Sequence, residues 1–354
     1  MSCDVHPGSP EQIGLARVET STLSLTLRPL QRFLEAPEVT ELCVNRPAEL
    51  FIETHTGWTR AGVPELSFDW CLRFAKLVAN FSGQRIDAAS PLLSAALPGG
   101  ERVQVVLPPA TSPGTVSITI RRPSRRHWSI AELATQGVFD RTRRCGGAPD
   151  PTEPKLRELL ASGDYEAFMR LAVIARKNIL VSGPTGSGKT TWTKALIREI
   201  SSDERLITIE DAPELALDRH PNHVRLFYSK DDQGMSRVTP KQLLDACLRM
   251  KPDRILLAEL RSEEAFDYLR NVNSGHPGSI TSVHASSAAL AFEQLVLLVK
   301  QSPAGRELPR QDIRSLLHLV VDVVIQFACR RQHRFIDEIW YQPELKRAGQ
   351  PAAV

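Results

Sequence analysis

Between the apolar run NILVS (178–182) and a stretch with helical character, the chain reads GPTGSGKT over residues 183–190. This fills every position of the pattern G-x-x-x-x-G-K-[S/T]. No other feature restricts the fold so strongly. Glycines at Gly183, Gly186 and Gly188 let a loop that also contains Pro184, Thr185 and Ser187 turn tightly enough to aim successive backbone N–H groups at one point. The helix that follows adds its positive end. A loop of this kind needs a strand end that feeds a helix, so it predicts a mostly parallel sheet with helices on its faces. A glycine-rich turn that only caps a helix is the alternative, and strand and helix in register on both sides speak against it. The ligand implied is a nucleoside triphosphate with Mg²⁺: Lys189 reaches the β and γ phosphates, and the Thr190 hydroxyl holds the metal.

Around this loop the chain of 354 residues, 42% hydrophobic, is long enough for two globular domains. In the first, ERVQVVLPPATSPGTVSITIRRPS alternates apolar and polar residues on both sides of a Pro/Gly/Ser turn, which predicts a β-hairpin. FDWCLRFAKLVANFSGQ predicts a helix over those strands ending near Gly83, so this domain is expected to be α+β. Gly, Pro and charge dominate from Asp140 to Pro154, as in a linker. The expected organisation is an N-terminal domain over residues 1–139, a linker over 140–164, the nucleotide-binding domain over 165–345 and a disordered tail over 346–354. In the third segment a helix (Tyr165 to Arg176), the strand NILVS, a helix (Thr190 to Ile200) and the strands RLITIE and RILLAEL follow one another. Near the C-terminus SSAALAFEQLVLLVKQ has helical spacing, and VVDVVIQFACRRQHRFIDEIWYQPEL reads as strands about a polar turn at Arg330 to His333, expected to be core and edge structure.

Hydrolysis would need acids at neighbouring strand ends. RLITIEDAPEL ends its apolar run at Glu210 and Asp211, and RILLAELRSEEA at Glu259, with Arg261 two residues on. His276 and His284 frame GHPGSITSVH, whose glycines and proline force a loop able to face the nucleotide.

GPTGSGKTTW, ITIEDAPEL, CLRMKPDRILLAELR and NSGHPGSITSVHA together resemble, in order, the Walker A, aspartate-box, Walker B and histidine-box segments of the secretion traffic ATPases, and within them the VirB-type ATPases of type IV secretion and conjugation. The resemblance covers most of the chain. It implies an α/β fold with a RecA-like P-loop ATPase core and a separate α+β N-terminal domain. Glu210 becomes the carboxylate that orients water and Glu259 the acid that acts on Mg²⁺ through its water shell, while Asp211 supports them. Thr191 and Arg261 join the nucleotide site, and His276 and His284 sense the γ-phosphate. The family often has glycine before the Walker B glutamate, where this chain has Ala258.

Seven arginines against two acids lie between Arg121 and Arg144. A solvated basic face accounts for most such runs. Arg121 and Arg122 follow the strand VSITI directly, and the resemblance implies an arginine there, Arg121 before Arg122, reaching the nucleotide from the N-terminal domain; a planar guanidinium suits that task. The resemblance also implies a homohexamer, docked peripherally on inner-membrane components at the cytoplasmic face and driving assembly of, or transport through, a type IV secretion system.

Composition narrows the rivals. A net charge of +3 and 6% aromatic residues, with only Trp128 among the arginines, argue against direct nucleic-acid binding and hence against a nucleic-acid motor. Six scattered cysteines, without a C-x-x-C pair, suit reduced thiols in the cytoplasm and no zinc module, which disfavours a type II secretion ATPase; the Walker B surroundings disfavour a pilus ATPase. The N-terminus lacks the pattern of a signal peptide. Leu316 to Ala328, the most apolar stretch, is shorter than a bilayer span.

Overall fold

A computed structural model describes residues 22–123, 127–142, 150–229 and 234–348. The expectations for the N-terminal residues and for the tail beyond 348 lie outside these residues. The chain divides into two compact units, the first ending at Ser124 and also taking in segments within 226–239 and 249–251.

The first unit is built on a six-stranded antiparallel sheet of β1 (Glu41–Val44), β2 (Glu49–Thr54), β3 (Gly57–Gly62), β4 (Leu92–Ala96), β5 (Arg102–Val106) and β6 (Ser117–Arg121), in the order β3-β2-β1-β6-β5-β4. The predicted hairpin is β5–β6, with Arg102 opposite Arg121. The predicted helix is Phe68–Phe81, started by the Ser67 side chain accepting from the Trp70 N–H. Trp70, Phe74 and Val78 pack with Leu42, Leu50, Val103, Val105, Ile118 and Ile120 in one core. Alternation along the strands and a 3.6-residue period along the helix converge on that core.

In the second unit β7 (Ile179–Ser182) pairs in parallel with β11 (Ile280–Val283) and β12 (Val323–Arg330), and β12 continues antiparallel to β13 (His333–Trp340). A second ladder holds β10 (Arg254–Leu257) parallel to β8 (Leu206–Glu210), with β9 (His223–Phe227) beyond. The ladders adjoin: the Leu260 N–H donates to the Ser282 carbonyl at 2.9 Å, and the Ser282 hydroxyl to the Ala258 carbonyl at 2.8 Å. β7, β8, β10 and β11 are buried along their whole length, as parallel strands covered on both faces must be. The phosphate-loop helix, Lys189–Arg198, follows β7. This is the expected RecA-like arrangement.

Three boundaries differ from expectation. The first unit ends at Ser124, not at residue 139. A capped helix, Ile130–Thr135, precedes the segment expected to be linker, and a second helix, Glu153–Ser162, lies within that segment. Pro154 opens that second helix, Gly163 ends it in the left-handed conformation at φ 79°, and Leu156 and Leu159 enter the core of the second unit. Residues 346–348 belong to a short helix, Glu344–Ala348, with Lys346 Nζ 2.6 Å from Asp322. Of the cysteines, Cys43, Cys71, Cys247 and Cys329 are free thiols; Cys3 and Cys145 lie outside the described residues. Among the described residues no helix is long and apolar enough to cross a membrane.

Candidate active site

The C-terminal ends of β7, β8, β10 and β11 open on one cleft of about 360 Å³, the size of a small-ligand pocket. Thr185, Gly186, Gly188, Lys189, Thr190 and Thr191 line it from the phosphate loop, Asp211 and Glu214 from the turn after β8, Glu259 and Arg261 from the end of β10, His284 from the end of β11 and Arg334 from β13. Gly186 (φ 75°) and Gly188 (φ 102°) hold left-handed conformations that a side chain would strain. Gly183 faces a different constraint: a Cβ there would lie 2.8 Å from the Phe327 Cβ and 3.0 Å from its carbonyl oxygen.

Lys189 is 8% exposed, and burial pushes the pKa of its ammonium group down, against the pull of Glu259. It donates to the carbonyls of Gly183 at 2.7 Å and Pro184 at 3.1 Å and lies 3.1 Å from His284 Nδ1. His284 Nε2 lies 2.7 Å from Glu259 Oε1. A charged ammonium can only donate, so in a neutral imidazole Nδ1 accepts and the ring proton sits on Nε2. Glu259 Oε2 accepts from Arg261 at 2.6 Å, and Arg261 donates to Asp211 at 2.8 Å. One polar chain thus runs from the phosphate loop through His284, Glu259 and Arg261 to Asp211.

The predicted water-orienting carboxylate does not join that chain. Glu210 is 0% exposed and saturated: it accepts from the Thr208 hydroxyl, from both the Nε and Nη2 of Arg225, and from the backbone N–H groups of Glu214 and Leu215. Glu210 thus stands behind the cleft wall, outside the set of acids that line it. Its carboxylate closes the turn after β8 and so aims Asp211 and Glu214 at the cleft. Glu214, passed over in the sequence because it lies beyond the strand end, is exposed on the cleft wall. His276 does not line the cleft, and its Nδ1 lies 3.1 Å from the Pro252 carbonyl. Arg121, in the first unit, is 63% exposed with its Nε 3.4 Å from Glu41, whereas Arg122 is tied to the carbonyls of Ala36 and Val39.

The family model described as "Type II/IV secretion system protein" matches residues 159–350. The type IV secretion system protein VirB11 of Bartonella quintana is 47% identical over 343 residues, covering 93% of this chain and 96% of that protein. The chain belongs to the VirB11 family. VirB11 of Brucella suis is 46% identical, with 96% and 95% of the two chains covered. The crystal structure of the VirB11 ATPase from the Brucella suis type IV secretion system in complex with sulphate matches at a TM-score of 0.91 and 47% identity, covering 95% of this chain and 99% of that one. The protein is accordingly an ATP-hydrolysing enzyme of the type IV secretion class, and the matches give no preference to the pilus or type II alternative. In this family setting the cleft carries what ATP hydrolysis needs: amides and a lysine for phosphates, a hydroxyl beside them, and carboxylates at the strand ends.

Proposed function

We propose that ATP is bound and hydrolysed in this cleft, and that the cycle drives assembly of, or substrate passage through, a type IV secretion system. The observation that carries the proposal is the position of Lys189, held on two loop carbonyls and His284 at the mouth of the parallel strands. These are weak substitutes for phosphate oxygens, so a nucleotide draws the ammonium onto its β and γ phosphates and frees His284 and Glu259 to respond. Loop residues 183–191 cradle the phosphates. The exposed Thr190 hydroxyl and, through water, Glu259 fit Mg²⁺, a hard ion that takes few protein ligands when phosphates supply the rest. Mg²⁺ supplies positive charge to the transferred and leaving phosphate oxygens. Glu214 takes the water-orienting role that the saturated Glu210 cannot fill. Arg121 stays in the proposal as the first unit's exposed guanidinium, and His276 as a loop residue tied to Pro252.

At the level of the whole machine we infer a homohexamer that docks on inner-membrane components at the cytoplasmic face, a reading supported by family membership. The test at the site is a pair of variants. Lys189→Ala should lose binding of a fluorescent ATP analogue, and Glu259→Gln should retain it while turnover falls on the order of 10²-fold or more. Normal hydrolysis by either would remove the cleft from consideration as the active site.

A further inference from the structure

Arg334 enters the cleft from an element that the sequence patterns mark only as edge structure. β12 pairs in parallel with β7, and the register that sets Gln326 beside Ser182 carries Phe327 onto the first glycine of the phosphate loop. Trp192, on the phosphate-loop helix, meets the Phe327 ring edge-on, with centroids 6.0 Å apart. The chain then reverses through Arg331 and Gln332, both left-handed at φ 49° and 66°, and β13 returns with Arg334 opposite Cys329. The hairpin is thus packed directly against the loop, and its return strand lays Arg334 along the wall: the Arg334 Cδ lies 3.5 Å from where a Cβ on Gly188 would stand.

The electrostatics of that position ask for an anion. Gly188 caps the N-terminus of the phosphate-loop helix, whose free amides carry partial positive charge, and Lys189 is the next residue. The Arg334 stem passes this helix end into the cleft lining, and the like charge it carries is repelled by both unless a negative group joins them. Arg261, the other cleft arginine, already has two carboxylates, Asp211 and Glu259. Among the described residues Arg334 is paired with no acid.

We propose that Arg334 binds the α- and β-phosphates of the nucleotide in cis, so that the β12–β13 hairpin is a further wall of the site and reads the diphosphate common to ADP and ATP. The assignment to those two phosphates follows from the side chain's place at Gly188, since loop amides there cradle α and β oxygens while Lys189 extends toward γ. The proposal rests on the cleft being the nucleotide site, and the experiment separates the two.

Affinities for MgADP and for a non-hydrolysable Mg·ATP analogue would be measured by displacement of a fluorescent ADP from the full-length protein. Arg334→Ala should weaken both by a similar factor, about tenfold or more, as expected for one charge-assisted contact. Arg334→Lys should lose less, because it keeps the positive charge, but should not match arginine, because a point charge cannot bridge two oxygens. Arg330→Ala, on the same hairpin but with its guanidinium over Phe335, serves as control and should bind as the unaltered protein does. Unchanged affinities for Arg334→Ala with binding lost in Lys189→Ala would overturn the role of Arg334 and leave the cleft standing. A loss confined to the ATP analogue would also overturn it, moving the contact to the γ-phosphate. Unchanged binding in Lys189→Ala as well would mean that the cleft itself is misassigned.

Discussion

Glu210 and Glu214 stand four residues apart in opposite electrostatic situations. The first is a buried anion matched by a bidentate guanidinium, a hydroxyl and two amides; the second faces the cleft. Removing one partner of a buried charge pair leaves the other uncompensated, at a cost of about 3–5 kcal/mol. Glu210→Ala is expected to lower the unfolding free energy read from urea denaturation by that much, because Arg225 loses its partner and the turn that carries Asp211 and Glu214 loses its closure. Glu214→Gln should leave the unfolding free energy within about 0.5 kcal/mol of the parent and lower turnover on the order of 10²-fold. The reverse pattern, a stable Glu210 variant without activity and an unstable, active Glu214 variant, would restore Glu210 as the catalytic group. The motif EDAPEL shows that acids gather here, but which acid faces the nucleotide depends on Arg225, fifteen residues later in the chain, and no local pattern encodes that pairing. Arg334 was hidden for a similar reason. Its part in the site depends on a hairpin register set by β7, 140 or more residues earlier.

Elements were more legible where period and punctuation agreed. β7 and the phosphate-loop helix, the β5–β6 hairpin, the helix Phe68–Phe81 and the C-terminal hairpin all follow from alternation, helical spacing or turn residues. The helix Glu153–Ser162 was missed although Pro154 and Gly163 mark both its ends, because the Pro- and charge-rich stretch before it reads as linker. The connection between β8 and β9 holds a feature with a measurable consequence. His220 is 1% exposed with Nε2 3.1 Å from the Ile200 carbonyl. Burial pushes its pKa below the usual histidine value, with the Ile200 carbonyl and Glu204 pulling the other way and Arg219 and Arg254 adding to the fall. The unfolded chain takes up a proton near pH 6.5, and the folded chain resists it until lower pH. The stability contribution is therefore full above about pH 6.5 and is lost as pH falls toward the depressed folded value. Denaturant midpoints measured between pH 7.5 and 5.5 should decline in the parent, and the slope should flatten in His220→Gln. An identical slope in both would assign the decline to other groups.

For the whole molecule, what matters is what one chain's second unit supplies to its own nucleotide. Among the described residues Lys189 and Arg334 are the cleft cations that no acid holds, because Arg261 is held by two acids, and Glu214, Thr190 and His284 stand exposed to water. Phosphoryl transfer proceeds fast when further positive charge meets the transition state and bulk water is kept out, and a neighbouring subunit is a common source of both. A ring in which nucleotide sits where subunits meet gains assembly free energy from every bound ligand, about 2.7 kcal/mol per site at a hundredfold excess over Kd. Native mass spectrometry should therefore show a sixfold species that grows on addition of a non-hydrolysable Mg·ATP analogue, and Glu259→Gln, which keeps ATP unhydrolysed, should form it with ATP itself. Lys189→Ala should fail to respond to either. A sixfold species of equal abundance with and without nucleotide would place the subunit contacts away from the cleft, and a monomer under all conditions would make the active site complete within one chain.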